Sequence, residues 1–130
     1  SLQTTRGVNG YEAPFGIRSV VGSQYRYIRN LFPENEFNIP VSRNLMKETA
    51  SLDETEKARA ARYLNRPPEE LYHVIKDPYC QENLIDKPAL QETKTRLADA
   101  LSNWMDEQGD TGRDVELDAH GRQANWYKKK

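Results

Sequence analysis

One segment of this chain is long and periodic enough to lay a continuous apolar stripe on a partner surface, and it limits what the rest can do. Leu90, Leu97, Leu101, Trp104 and Met105 recur at helical spacing. Asp86, with Pro88 in the first turn, opens this helix, which is predicted over about 87–108, and Gly109 is placed to stop it. A single such helix covers one face of one small sheet. With 130 residues, 36 % hydrophobic, 30 % charged and a mean hydropathy of -0.94, the chain has material for one thin core and not for two.

The sheet comes from two places. Ile17 to Val21 and Gln24 to Phe32 are rich in β-branched and aromatic residues and flank Gly22-Ser23, which suits a type II′ turn with glycine at positive φ. A hairpin over 16–32 follows, with Tyr25, Tyr27, Arg29 and Leu31 on one face and Arg26, Ile28, Asn30 and Phe32 on the other. A further strand is predicted over 70–76. Between them lie a polar loop from Pro33 to Pro40 and short helices within 43–65. Ser42 caps the first, Ser51 or Asp53 caps the second, Glu54 to Leu64, and Pro67-Pro68 stops it. The predicted class is α+β: a small antiparallel sheet packed on one long amphipathic helix. From Asp110 onward there is little periodicity, so 113–130 reads as a polar C-terminal extension of a domain spanning 1–112.

Charge excludes some function classes. Residues 1–32 hold four Arg and one Glu, whereas 69–110 hold four basic and ten acidic groups, within an overall net charge of -1. Tyr25-Arg26-Tyr27-Ile28-Arg29 is an aromatic-basic strand, but no RNA-binding motif or glycine loop accompanies it, so no nucleic acid is expected as a partner. No apolar run approaches the roughly 18 residues of a membrane span. No signal sequence opens the chain, which fits either a cytosolic protein or a cut end.

No catalytic set assembles from these residues. Cys80 has no basic neighbour in sequence and reads as a structural or surface thiol. His73 lies within a strand and reads as a packed or edge histidine, and His120 sits in the polar tail. Glu69 and Glu70 are adjacent on a strand and so point to opposite faces. Asp53, Glu54 and Glu56 suit a helix N-terminus. The catalytic and metal-ligating residues expected in this chain are none.

Several motifs in order do resemble a family. Ile17-Arg18-Ser19-Val20-Val21-Gly22-Ser23-Gln24-Tyr25-Arg26-Tyr27-Ile28-Arg29-Asn30 is similar to the strand pair, ending in Arg-Tyr-Lys-Tyr-Ile, near the C-terminus of type I sulfatases. Arg66-Pro67-Pro68-Glu69-Glu70-Leu71-Tyr72-His73-Val74-Ile75-Lys76-Asp77-Pro78 resembles their Arg-Pro-Ala-Glu-Glu-Leu-Tyr-Asp-Leu-x-x-Asp-Pro signature, with His73 replacing the usual Asp. Glu82-Asn83-Leu84 follows as their Glu-x-x-Asn-Leu does, with Cys80 or Gln81 displacing the usual acidic residue. The closing helix through Trp104-Met105-Asp106-Glu107-Gln108-Gly109-Asp110 resembles the heparan N-sulfatase (N-sulfoglucosamine sulfohydrolase) branch. The resemblance covers roughly residues 4–112.

It implies a C-terminal sulfatase subdomain without the catalytic domain. Formylglycine, formed in a Cys/Ser-x-Pro-x-Arg motif, and calcium, held by Asp and Asn, are then expected in that missing domain, and Cys80-Gln81-Glu82-Asn83-Leu84 is not that motif. The implied partners are the N-terminal sulfatase catalytic domain of the same parent and, through it, a sulfated glycan. The parent is expected to be periplasmic or secreted. The loop 4–11 matches one that approaches the substrate pocket, making Arg6 the implied substrate-binding residue through its bidentate fork. A detached subdomain is expected to keep an apolar face built from Tyr11, Phe15, Tyr25, Tyr27 and Phe32. That face would be hidden by self-association or by Trp126 and Tyr127 folding back. The alternative is a freestanding protein- or carbohydrate-binding module.

Overall fold

The computed structural model describes residues 15–35 and 53–128. Strand β1 (Ile17–Val21) pairs antiparallel with β2 (Tyr25–Asn30), Ile17 opposite Asn30 and Val21 opposite Arg26. β2 pairs antiparallel with β3 (Glu69–His73), Tyr25 opposite His73 and Arg29 opposite Glu69. The order β1-β2-β3 makes β2 the centre and leaves β3 at an edge. Three helices complete the described chain: α1 (Glu54–Leu64), α2 (Gln91–Glu107) and α3 (Arg113–Lys128). The α+β expectation holds.

Alternation along the strands sorts the core into two layers. Tyr27 and Leu71, both fully buried, meet Leu97, Leu101 and Met105 of α2. On the opposite face Phe15, Ile17, Ile28 and Tyr72 cluster, with Cys80 packed against them. α1 belongs to this second side. Asp53 caps it by accepting the Glu56 amide at 2.8 Å, Asn65 closes it, and Ala60 and Leu64 are buried. Pro88 starts a single 3₁₀ turn, Pro88–Leu90, that leads into α2. The predicted helix within 43–52 lies outside the described residues.

Several expectations need correction. The strand predicted over 70–76 is Glu69–His73, because residues 74–76 turn away from the sheet edge. Gly22 donates its amide to the Tyr25 carbonyl at 2.8 Å, so Ser23 and Gln24 form the centre of the hairpin turn, and Gly22 is not left-handed. Cross-strand pairing, not glycine's freedom, sets this register. Trp104 is 40 % exposed: the buried stripe runs 97–101–105, and residue 104 lies about 100° around the helix from Met105. Among the described residues the expected free apolar face is not present. Phe15, Tyr27 and Phe32 are 3 %, 0 % and 3 % exposed, and Tyr25 is half-buried. Phe32 lies under the Arg113 guanidinium, 4.3 Å from its ring centre. Tyr11 and the side chains of Trp126 and Tyr127 lie outside the described residues.

The segment read as lacking periodicity is helical from Arg113 onward, and its first turn is tied into the sheet. α2 ends in a Schellman arrangement: Gly109, at φ +67, donates to Asp106, and the Asp110 amide reaches back to Met105 at 2.8 Å. This reversal delivers Asp110 to Arg18 of β1, whose side chain is fully buried. Arg18 Nε donates to Asp110 at 2.5 Å and Nη1 to Glu116 of α3 at 2.8 Å. Gly16 allows the approach, since a Cβ there would stand 2.6 Å from Glu116 Cγ. Arg113 adds a bond from Nη1 to the Leu31 carbonyl at 2.7 Å and one from Nη2 to Glu34 at 2.6 Å.

Two outcomes follow from this packing. Leu101→Ala is expected to cost about 2–5 kcal/mol in a urea melt, because it empties a fully buried position, whereas Trp104→Ala should cost well under half as much. The Arg18 guanidinium holds the Asp110 carboxyl below the usual carboxylate range. Its contribution is therefore complete above the ordinary value of about 3.9 and is lost as pH falls through the lower folded value. Asp110→Asn should lower stability at pH 7 and flatten the acid limb of a thermal-melt series. An acid limb as steep as the parent's would contradict this assignment.

Candidate functional site

The side chains of β2 and β3 that face away from α2 form the floor of an open cleft of about 820 Å³. Ile28 and Tyr72 are its base, and Arg26 and Glu70 flank them. One wall is α1, which contributes Glu56, Arg59, Ala60 and Arg62, and Arg66-Pro67 carry the wall toward β3. The opposite rim is the turn after β3, with Tyr79, Cys80, Gln81 and Asn83. Four arginines therefore face two glutamates across a space lined by apolar and aromatic side chains.

Glu70 ties the polar groups of the floor together, while Asn30 Oδ1 stays buried with no hydrogen-bond partner among the described residues. Glu70, 4 % exposed, accepts the Tyr72 hydroxyl at 2.5 Å, Asn30 Nδ2 at 2.7 Å and Arg66 Nη1 at 3.4 Å. Burial, reinforced by the bond to Glu70, pushes the Tyr72 hydroxyl far above its usual range, so it remains a donor at any physiological pH. Glu70 is thus committed within the floor. Glu69 points the other way, as expected, and accepts Tyr27 Oη at 2.6 Å and Lys94 at 3.2 Å. The Tyr27 hydroxyl is the first cause that lowers its carboxyl below the usual range.

The rim turn is built by two side chains. Asp77 accepts the Gln81 and Glu82 amides at 3.0 and 2.9 Å, bonds that hold its carboxyl below the usual range. Asn83 Oδ1 accepts the Leu71 and Ile85 amides at 2.9 and 3.1 Å, pinning the turn to β3. Between them Cys80 takes a left-handed backbone, φ 52. Its Sγ lies 3.9 Å from Arg26 Nη1, so the structure supplies the basic neighbour that sequence adjacency lacked. His73 is not part of this site. It stands on the other face, edge-on to Tyr25 with ring centres 4.8 Å apart, and its Nδ1 accepts the Lys76 amide.

Arg6 and the loop 4–11 lie outside the described residues, as does the His120 side chain. Among the described residues no group of three or more His, Cys, Asp or Glu is placed to hold a metal ion. The donor set thus does not fit calcium, and Cys80, in a tight turn and followed by Gln81-Glu82-Asn83, does not fit a formylglycine precursor. No described helix is long and apolar enough to cross a membrane. The arginine wall went unread in the sequence, although Glu56, Arg59 and Arg62 recur every three residues and so share a helix face.

Comparison with known proteins now bears on these residues. No family model matches the chain. It is 33 % identical over 96 residues, 74 % of its own length, to an ulvan-active sulfatase of Formosa agariphila. A second ulvan-active sulfatase of that organism is 28 % identical over 104 residues, 72 % of the chain. The chain is sulfatase-related. It spans less than a fifth of each relative, 18 % and 17 % of their lengths.

The signature residues of the resemblance are thereby given structural work: Glu70 in the floor, Asp77 and Asn83 in the turn. Glu70→Ala should leave Asn30 and Tyr72 without their buried acceptor and cost about 2–3 kcal/mol in chemical denaturation. Glu82→Ala, at an exposed side chain, should stay within about 0.5 kcal/mol of the parent.

Proposed function

We propose that this chain is the C-terminal subdomain of a sulfatase whose catalytic machinery lies in an N-terminal domain of the same parent protein. The observation that carries this reading is the 33 % identity to a sulfatase of which the matched stretch is only 18 %. Calcium and formylglycine are assigned to that catalytic domain. In this reading the chain performs no sulfate chemistry itself. It completes the parent's fold and rims the substrate pocket with the loop 4–11, where Arg6 holds a sulfate or uronate in its bidentate fork.

The substrate class is a sulfated glycan, and the parent is periplasmic or secreted. The matched relatives are named as ulvan-active sulfatases, which favours a substrate that carries sulfate groups. The heparan N-sulfatase branch is carried only by the closing motif Trp104 to Asp110 and is the weaker assignment within the family.

Three measurements test the reading. The genomic frame upstream of residue 1 should run into a Cys/Ser-x-Pro-x-Arg segment. An in-frame stop directly ahead would instead make the chain a freestanding module. The chain alone, with calcium and an aryl sulfate, should match buffer, and turnover that copurifies with it and vanishes in Cys80→Ala would overturn a non-catalytic role. In the whole parent enzyme, Arg6→Ala should raise KM for a sulfated oligosaccharide about tenfold or more, as expected for loss of a charge-assisted bidentate contact.

A further inference from the structure

The cleft between α1 and the outer face of the sheet has more cationic than anionic groups available. Glu70 is occupied by Tyr72, Asn30 and Arg66. Arg59 and Arg62 are exposed, three residues apart on α1, and neither has a carboxylate partner among the described residues. Arg26 stands across from them on β2, its nearest polar contact being the weak one to Cys80 Sγ. Guanidinium groups presented this way match planar or tetrahedral oxyanions through paired N–H donors. On the rim, Tyr79 is 84 % exposed, a large aromatic ring left in water at the mouth of a charged cleft. Such a ring has an apolar face for a sugar's C–H surface and a polar edge for its hydroxyls.

We propose that this cleft is a glycan subsite for an anionic polysaccharide segment. Arg26, Arg59 and Arg62 grip its sulfate or carboxylate substituents, and Tyr79 carries one sugar ring. The choice of a polysaccharide, rather than another polyanion, rests on the sulfatase reading, whereas the anion site itself rests on the cleft. The subsite lies wholly within this chain and uses none of the loop 4–11. It therefore anchors a polymer instead of positioning the bond to be cut.

The test uses the chain as it stands. Binding of a size-defined dextran sulfate oligosaccharide is measured by titration calorimetry at several salt concentrations. The parallel probes are neutral dextran, an oligogalacturonate and a single-stranded oligonucleotide. Dextran sulfate should bind with an affinity that falls as salt rises, and neutral dextran should not bind. Arg59→Ser with Arg62→Ser, both at exposed helix positions and checked for an unchanged circular dichroism melt, should lose at least about tenfold in affinity. Tyr79→Ala should lose several-fold with the salt dependence unchanged. Tighter binding of oligogalacturonate than of dextran sulfate would assign the arginines to carboxylates. Unaltered affinity in the double variant, or equal binding of the oligonucleotide, would overturn the glycan subsite. Neither result bears on the upstream reading frame, so the subsite and the sulfatase reading fail separately.

Discussion

Arg18 is the pin of this structure. An arginine with no solvent contact needs its charge answered nearby, since an unpaired buried cation costs several kcal/mol. Its answers come from 92 and 98 residues further along the chain. Asp110 can reach it only because Gly109 lets α2 end in a reversal, and Glu116 only because Gly16 lacks a side chain. A buried ion pair is weak grounds for stability, because well-packed apolar groups of similar shape can serve as well. Its effect here is on arrangement: it fixes which residue of β1 meets which turn of α3, and so closes the sheet's edge strand against the chain's last helix. Two carboxylates converge on one guanidinium, and Glu116 Oε2 is left buried with no hydrogen-bond partner among the described residues.

What could be read beforehand depended on how local its cause was. The hairpin, α1 with its Asp53 cap and the stop at Gly109 each follow from side chains a few residues apart, and each appears where expected. So does the division of Glu69 and Glu70 between two faces, which follows from the strand's pleat alone. Arg18 gave no local sign. A charged residue in a strand reads as solvated until something distant is known to cover it, and its partners lie beyond the long helix in a segment without apolar rhythm. The same reasoning failed for Phe15, Tyr27 and Phe32: Tyr27 goes under α2 itself, Phe15 packs with Ile17, Ile28 and Tyr72 on the other face, and Arg113 covers Phe32.

The candidate site divides in the same manner. Asp77, Glu70 and Asn83 were visible as members of a motif, but their roles were not: they build a turn and a floor rather than react. The cleft above them joins α1, β2 and the turn after β3, three segments whose proximity no spacing rule contains. A sulfatase-related chain thus carries, beside its shared framework, a cationic surface made by tertiary packing.

The distance between Arg18 and its partners also sets an order of events during synthesis. At about 5–20 residues per second, a ribosome extends the chain for about 5–20 s between making Arg18 and making Asp110. Throughout that interval β1 carries an arginine that has nothing to close on. The hairpin and β3 can pair meanwhile, since their contacts are complete once His73 has emerged. The edge strand is sealed only once Asp110 and Glu116 have emerged. Translation itself therefore makes the buried ion cluster a late event, and the last helix acts as the latch of a fold whose first strand has been waiting for it.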